Sequence, residues 1–230
     1  MDSSKGIARA AGLLYLVVIV TGIFSLMYVP SHLSGHGNAL ATIDHISASR
    51  WLFRWGALVE LVQYAVFVVL AFILYRLLRQ VDQLMAGVMV AFVVIGMALS
   101  MAAVVHKLDI LSLLDNDAVG KLLSADQVNA RQMLSLDAYD NGILISKIFW
   151  GLWLFPFGYL VFRSGFLPRI LGILLMVGCF SYVIDFFGNM LVSGYADTLF
   201  ADLIMLPSGL GELGICLWLL IMGRSADTGR

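Results

Sequence analysis

Only two cysteines occur in the 230 residues, Cys179 and Cys216, and neither stands in a Cys-x-x-Cys pair or near a histidine. That excludes a Cys/His centre, and both fall inside apolar runs, where they read as small buried apolar residues. Charge is scarce too: Asp, Glu, Lys and Arg make up 13% of the chain and leave a formal net charge of −1. No basic run interleaved with aromatics is present, so nucleic acid is not an expected partner. Histidines number four. The four-residue spacing of His32 and His36 would suit a metal on a helix, but Gly35 and Gly37 argue for a loop. There is no H-E-x-x-H, no nucleophile elbow and no histidine cluster, so no catalytic residue, metal or cofactor is expected.

What the chain has in abundance is apolar surface, 61% hydrophobic residues with a mean hydropathy of +0.94. A chain of this balance needs a lipid bilayer around it. Apolar runs at about 8–29, 55–78, 83–105, 139–162, 168–191 and 200–223 are each long enough to cross the hydrocarbon. They predict an all-α polytopic membrane protein, one domain of six transmembrane helices. Lys5 and Arg9 precede the apolar stretch 10–29, which is too long for a secretory signal and reads as a retained span. The longer connections are 30–54, where 42–50 suits a short surface helix, and 106–138, where Ser124 and Gln127 form a capping box. Residues 108–114 extend the third span or lie on the membrane surface. Lys5, Arg9, Arg76, Arg79, Arg163, Arg169, Arg224 and Arg230 fall on one side, and Arg50, Arg54, Lys107, Lys121 and Arg131 on the other. The first side is therefore expected in the cytoplasm, with both termini there. No repeat or signal for an oligomeric state is visible. Tyr28, Trp51, Trp55, Tyr139, Tyr159 and Trp218 fall near the expected interfaces, as an aromatic belt would.

Against this background the polar groups at depth stand out. Spans four and five fold back at a basic turn, 163–169, and at about 1.5 Å per residue Lys147 and Asp185 reach the same depth on either arm. Glu60 stands at the same level below its own turn, with His106, Asp140 and Asn189 slightly further out and Gln63 slightly deeper. Asp185 and Asn189, four apart, share a helix face. Glu212 lies roughly 18 Å up span six, just after Pro207-Ser208-Gly209-Leu210-Gly211, which reads as an interruption of that span. Intramembrane charges need partners, so Glu60, Lys147 and Asp185 are expected to meet in a polar funnel that opens outward and narrows toward Glu212. Each feature also has a plainer explanation: an ion pair that staples helices, glycines that allow close packing, and an interfacial His106 beside Asp109.

Several stretches carry a resemblance. Ala11-Gly12-Leu13-Leu14-Tyr15-Leu16, Trp51-Leu52-Phe53-Arg54-Trp55-Gly56 and Ile148-Phe149-Trp150-Gly151-Leu152-Trp153 are followed by Gly158-Tyr159-Leu160 and Arg163-Ser164-Gly165-Phe166-Leu167-Pro168-Arg169-Ile170-Leu171-Gly172. With Gly211-Glu212-Leu213 and Leu217-Trp218-Leu219-Leu220, they make the chain similar to the bacterial and archaeal membrane family known as domain of unknown function 4386. The resemblance implies a multi-pass protein of a prokaryotic cell membrane and brings no assigned activity or catalytic residues. Three functions stay open. One is binding or transport of a small polar or amphiphilic ligand by Glu60, Gln63, His106, Asp140, Lys147, Asp185 and Asn189, with Glu212 as a coupling carboxylate. A structural or stress-related role without a ligand comes second, and an intramembrane enzyme using His106, Asp185 and Glu212 comes third.

Overall fold

The computed structural model describes residues 2–35, 38–115 and 122–223. His36, Lys121, Arg224 and Arg230 lie outside them. Among the described residues, six helical stretches are long and apolar enough to cross a membrane: Lys5–Leu33, Arg50–Leu78, Gln83–Asp115, Ala125–Arg163, Arg169–Leu191 and Leu199–Met222. The helices outrun the apolar segments that announce them. Spans two, three and four begin or end well inside the stretches expected as outer connections, because amphipathic sequence continues the helical hydrogen bonding after the wholly apolar stretch ends. Residues 108–115 extend span three as helix. The helix expected over 42–50 runs instead over Ala39–Ala48, started by Asn38, whose side chain accepts from the amides of Leu40 and Ala41. The Ser124/Gln127 capping box forms as expected: each residue's amide donates to the other's side-chain oxygen.

All four prolines mark helix boundaries or irregular turns. Pro30 follows a π-helical turn at Ile23–Tyr28, which accommodates its missing donor. Pro156 removes the amide that would bond the Leu152 carbonyl, and the fourth span breaks there, between Ala125–Leu152 and Leu154–Arg163. Pro168 stands at the cap of Arg169–Leu191. Pro207 sits in the first turn of Leu206–Met222, which corrects the expected interruption: the break is at Met205, and residues 207–211 are helical because proline fits a first helical turn. Glu212 therefore projects from an intact helix.

The chain divides into two compact units. One comprises residues 1–17, 66–97 and 144–230, the other 18–65 and 98–143, so spans one to four contribute to both. In the first unit Tyr15, Phe67, Trp153 and Phe157 form a buried aromatic core, with Trp153 edge-on to Phe67 at 5.1 Å and stacked on Phe157 at 5.0 Å. The hairpin of spans four and five closes backbone to backbone: a Cβ on Gly158 would stand 2.6 Å from the Gly172 carbonyl, and one on Gly172 2.7 Å from that of Gly158. Its turn requires a left-handed residue, supplied by Gly165 at φ +74°. In the second unit Val29, Leu33, Ile46, Phe53, Ile110 and Leu111 make the core, with Phe24, Leu52, Leu114 and Leu136 packed against it.

Candidate functional site

The second unit holds a buried charge cluster. Glu60 is wholly buried, and its Oε2 accepts from the Lys107 ammonium at 2.6 Å, the lysine itself being 5% exposed. Its Oε1 accepts from the hydroxyls of Tyr64 at 2.8 Å and Tyr139 at 2.7 Å. The Lys107 ammonium also lies 4.0 Å above the centre of the Tyr139 ring, which adds a cation–π contact. Both carboxylate oxygens are thus taken up, as a buried charge demands. Glu60 and Tyr64 come together because they are four apart on one helix. Close by in the same unit, the Ser25 hydroxyl joins span one to Gln63 at 3.0 Å, and Gly22 gives that glutamine room.

Beside this cluster opens a cavity of about 340 Å³. Val29, Leu33, Ile46, Phe53 and Leu136 form its apolar wall; Lys107 and Tyr139 line it from the charge cluster, and Ser34, Asn38, Thr42, Asp137 and Asp140 supply the remaining polar surface. The wall comes from the tail of span one, the helix Ala39–Ala48, the start of span two and Leu136 of the helix Ala125–Leu152 that opens span four, which also supplies the acidic residues.

In the first unit, Lys147 bonds Asp185 at 3.1 Å, and the Asn189 amide donates to both the carbonyl and the carboxylate of Asp185, at 2.8 and 3.1 Å. Asp185 is buried, whereas the Lys147 side chain is about a third exposed. Glu212 accepts a hydrogen bond from the Tyr15 hydroxyl at 2.9 Å. Gly12 and Gly178 bring span six close to its neighbours: a Cβ on either would come within 2.7 Å of Leu220 and 2.8 Å of Ser208, respectively.

The expected meeting of Glu60, Lys147 and Asp185 is therefore divided. Lys147 and Asp185 pair, but Glu60 belongs to the other unit, where Lys107 is its cation. Lys107 was expected at a helix end; span three continues to Asp115, which leaves position 107 within the helix. Tyr139, expected in an aromatic belt, is a buried ligand of Glu60. Asp140 lines the cavity, while His106 makes an exposed local pair with Asp109 at 3.4 Å. His32 bonds the Tyr28 carbonyl on its own helix, and His36 lies outside the described residues. Among the described residues no three of His, Cys, Asp and Glu are grouped to hold a metal ion. Cys179 and Cys216 are both buried.

The family model for the domain of unknown function DUF4386 matches residues 10–223. The chain belongs to the DUF4386 family. The match runs through every candidate span, from Tyr15 in the first to Glu212 in the last. This DUF4386 chain is also similar to a protein of Archaeoglobus fulgidus described as uncharacterized, with 35% identity over 89 residues, which cover 39% of the chain and 51% of that relative. The matched stretch thus spans about half the relative's length. No solved structure matches this DUF4386 protein.

Proposed function

We propose that this DUF4386 protein is a multi-pass protein of a prokaryotic cell membrane, with both termini in the cytoplasm, and that it binds a small polar or amphiphilic ligand in a cavity facing outward. The cavity of about 340 Å³ is the observation that carries the reading. It lies within the range of small-ligand sites, roughly 300–1,000 Å³, and combines an apolar wall with a few convergent polar groups. Six apolar helices and the excess of Lys and Arg on the side of the 76–82 and 163–169 turns support insertion with those turns inside. Phe53, Lys107, Leu136, Asp137, Tyr139 and Asp140 stand on spans two, three and four toward the ends away from those turns, which supports a cavity on the outer side. Within the first unit, Lys147, Asp185 and Asn189 form a separate polar set, and Glu212, bonded to Tyr15, is the carboxylate suited to proton or ion coupling.

A structural role without a ligand is the second reading, favoured by Glu60, whose two oxygens are already shared among Lys107, Tyr64 and Tyr139. A saturated pair of this kind fixes helices whether or not anything binds beside it.

Native mass spectrometry of protein extracted with its own membrane lipids separates the two. The ligand reading expects a bound non-protein mass that disappears when Thr42→Trp fills the cavity of a protein that still folds. An identical mass profile for wild type and variant would favour the structural role.

A further inference from the structure

We propose that the hairpin of spans two and three holds an anionic phospholipid, its phosphate at Arg76 and Arg79 and one acyl chain in the groove that begins beside them. This groove, of about 680 Å³, is lined by Tyr75, Gln83, Leu84, Gly87, Val88 and Ala91. All six belong to the first unit, and none lines the cavity described above. The proposal rests on insertion in a membrane and stands whether or not that cavity takes a ligand.

The groove follows from small side chains at one face of a helix. Gly87 and Ala91 are four apart on Gln83–Asp115, both are exposed, and a Cβ on Gly87 would meet nothing within 4 Å. Leu84 and Val88 make the surface around them apolar. From Gln83 to Ala91 the groove follows the helix for about 12 Å, close to the roughly 15 Å of hydrocarbon in one leaflet. Its polar residues stand at the turn and its apolar ones further in, which is the order of a lipid's headgroup and chain. Charge at the turn completes the match. The Arg79 amide donates to the Tyr75 carbonyl at 2.8 Å, so the helical register of span two carries on to Arg79 and puts it on the face of Tyr75. Arg76 and Arg79 are both exposed, and neither side chain has a hydrogen-bond, ion-pair or ring partner among the described residues. Asp82 is the acidic group of this turn, and its Oδ1 accepts from the Met85 amide at 3.0 Å, which engages it at the start of span three. Two unengaged guanidinium groups against one engaged carboxylate favour a phosphate, which a guanidinium can bind through two parallel hydrogen bonds. The basic turn of spans four and five is built otherwise. Arg163 bonds the Tyr159 hydroxyl at 2.9 Å, Arg169 lies over the Phe162 ring at 5.8 Å, and Gly158 and Gly172 close that hairpin backbone to backbone.

Two lipids with the same palmitoyl and oleoyl chains isolate the headgroup: phosphatidylglycerol and phosphatidylcholine, each titrated into the full chain in neutral maltoside micelles and counted by native mass spectrometry. The expected result is retention of phosphatidylglycerol about fivefold or more over phosphatidylcholine, about fivefold being the contribution of one arginine beside anionic lipid. Arg76→Gln/Arg79→Gln should bring the two lipids level, and since both arginines are exposed the variant is expected to fold. Gly87→Leu/Ala91→Leu fills the groove at two exposed positions and should remove the phosphatidylglycerol adduct, whereas Arg163→Gln/Arg169→Gln should leave the preference as in wild type. Equal retention of both lipids by wild type overturns the proposal. So does a preference that survives Arg76→Gln/Arg79→Gln or the filled groove, or one that is lost equally in Arg163→Gln/Arg169→Gln. If the filled groove instead turns a dimer into a monomer by light scattering, its occupant is a second copy of the chain and the lipid is overturned.

Discussion

Glu60–Lys107 and Lys147–Asp185 are both ion pairs within apolar helices, yet they are built differently. The first is sealed: a carboxylate with no exposed surface takes three donors, and its lysine is nearly as deeply buried. The second is open on one side, with Lys147 about a third exposed and Asp185 held also by Asn189 of its own helix. Position within an apolar helix is thus a poor guide to what a charge does. The number of partners and the exposure of each decide whether the pair is a fixed part of the fold or a place where something can change.

That contrast is sharpened first by removing the cations. Lys107→Met leaves Glu60 buried with two tyrosine hydroxyls and no cation, and is expected to cost about 3–5 kcal/mol, seen as loss of the monodisperse species in size exclusion. Adding Glu60→Gln should restore most of that loss, since the uncompensated charge is then gone. Removing a single donor, Tyr139→Phe, should cost about 1.5–3 kcal/mol in thermal or denaturant unfolding, because the lost hydrogen bond goes to a charged group. Lys147→Met should cost about 1 kcal/mol, as for a partly solvated pair whose carboxylate keeps another donor. Equal losses for Lys147→Met and Lys107→Met would remove the distinction. Asp137→Asn/Asp140→Asn sits at the far end of the scale, within about 0.5 kcal/mol of wild type, as for exposed positions.

Much of the fold was legible in the residues and part of the site was not, for identifiable reasons. Six helices follow from six apolar runs because a run of that length has few other ways to satisfy its backbone in lipid. Their ends do not, since hydropathy marks where lipid-compatible sequence stops and the helix itself continues through residues such as Leu108 and Leu136. The Lys147–Asp185 pair was readable because a single short turn fixes the register of its two arms. Glu60 and Lys107 also flank one short turn, residues 79–82. The lysine stands further from it than the glutamate, so equal depth does not pair them, and the long flexible lysine side chain covers the difference. The four-residue spacing of Glu60 and Tyr64 was visible and signalled a first partner. Tyr139 was misplaced because a tyrosine near an interface reads the same whether its hydroxyl meets headgroups or a buried carboxylate. The break at Trp153 carried its signal openly in Pro156.

The most direct test of the account is a density map of the protein in nanodiscs made from its own membrane. The account predicts compact non-protein density against Phe53, Leu33 and Asp137, with Lys107 still bonded to Glu60 beneath it. A cavity closed by protein side chains, or Lys107 turned away from Glu60, would contradict it.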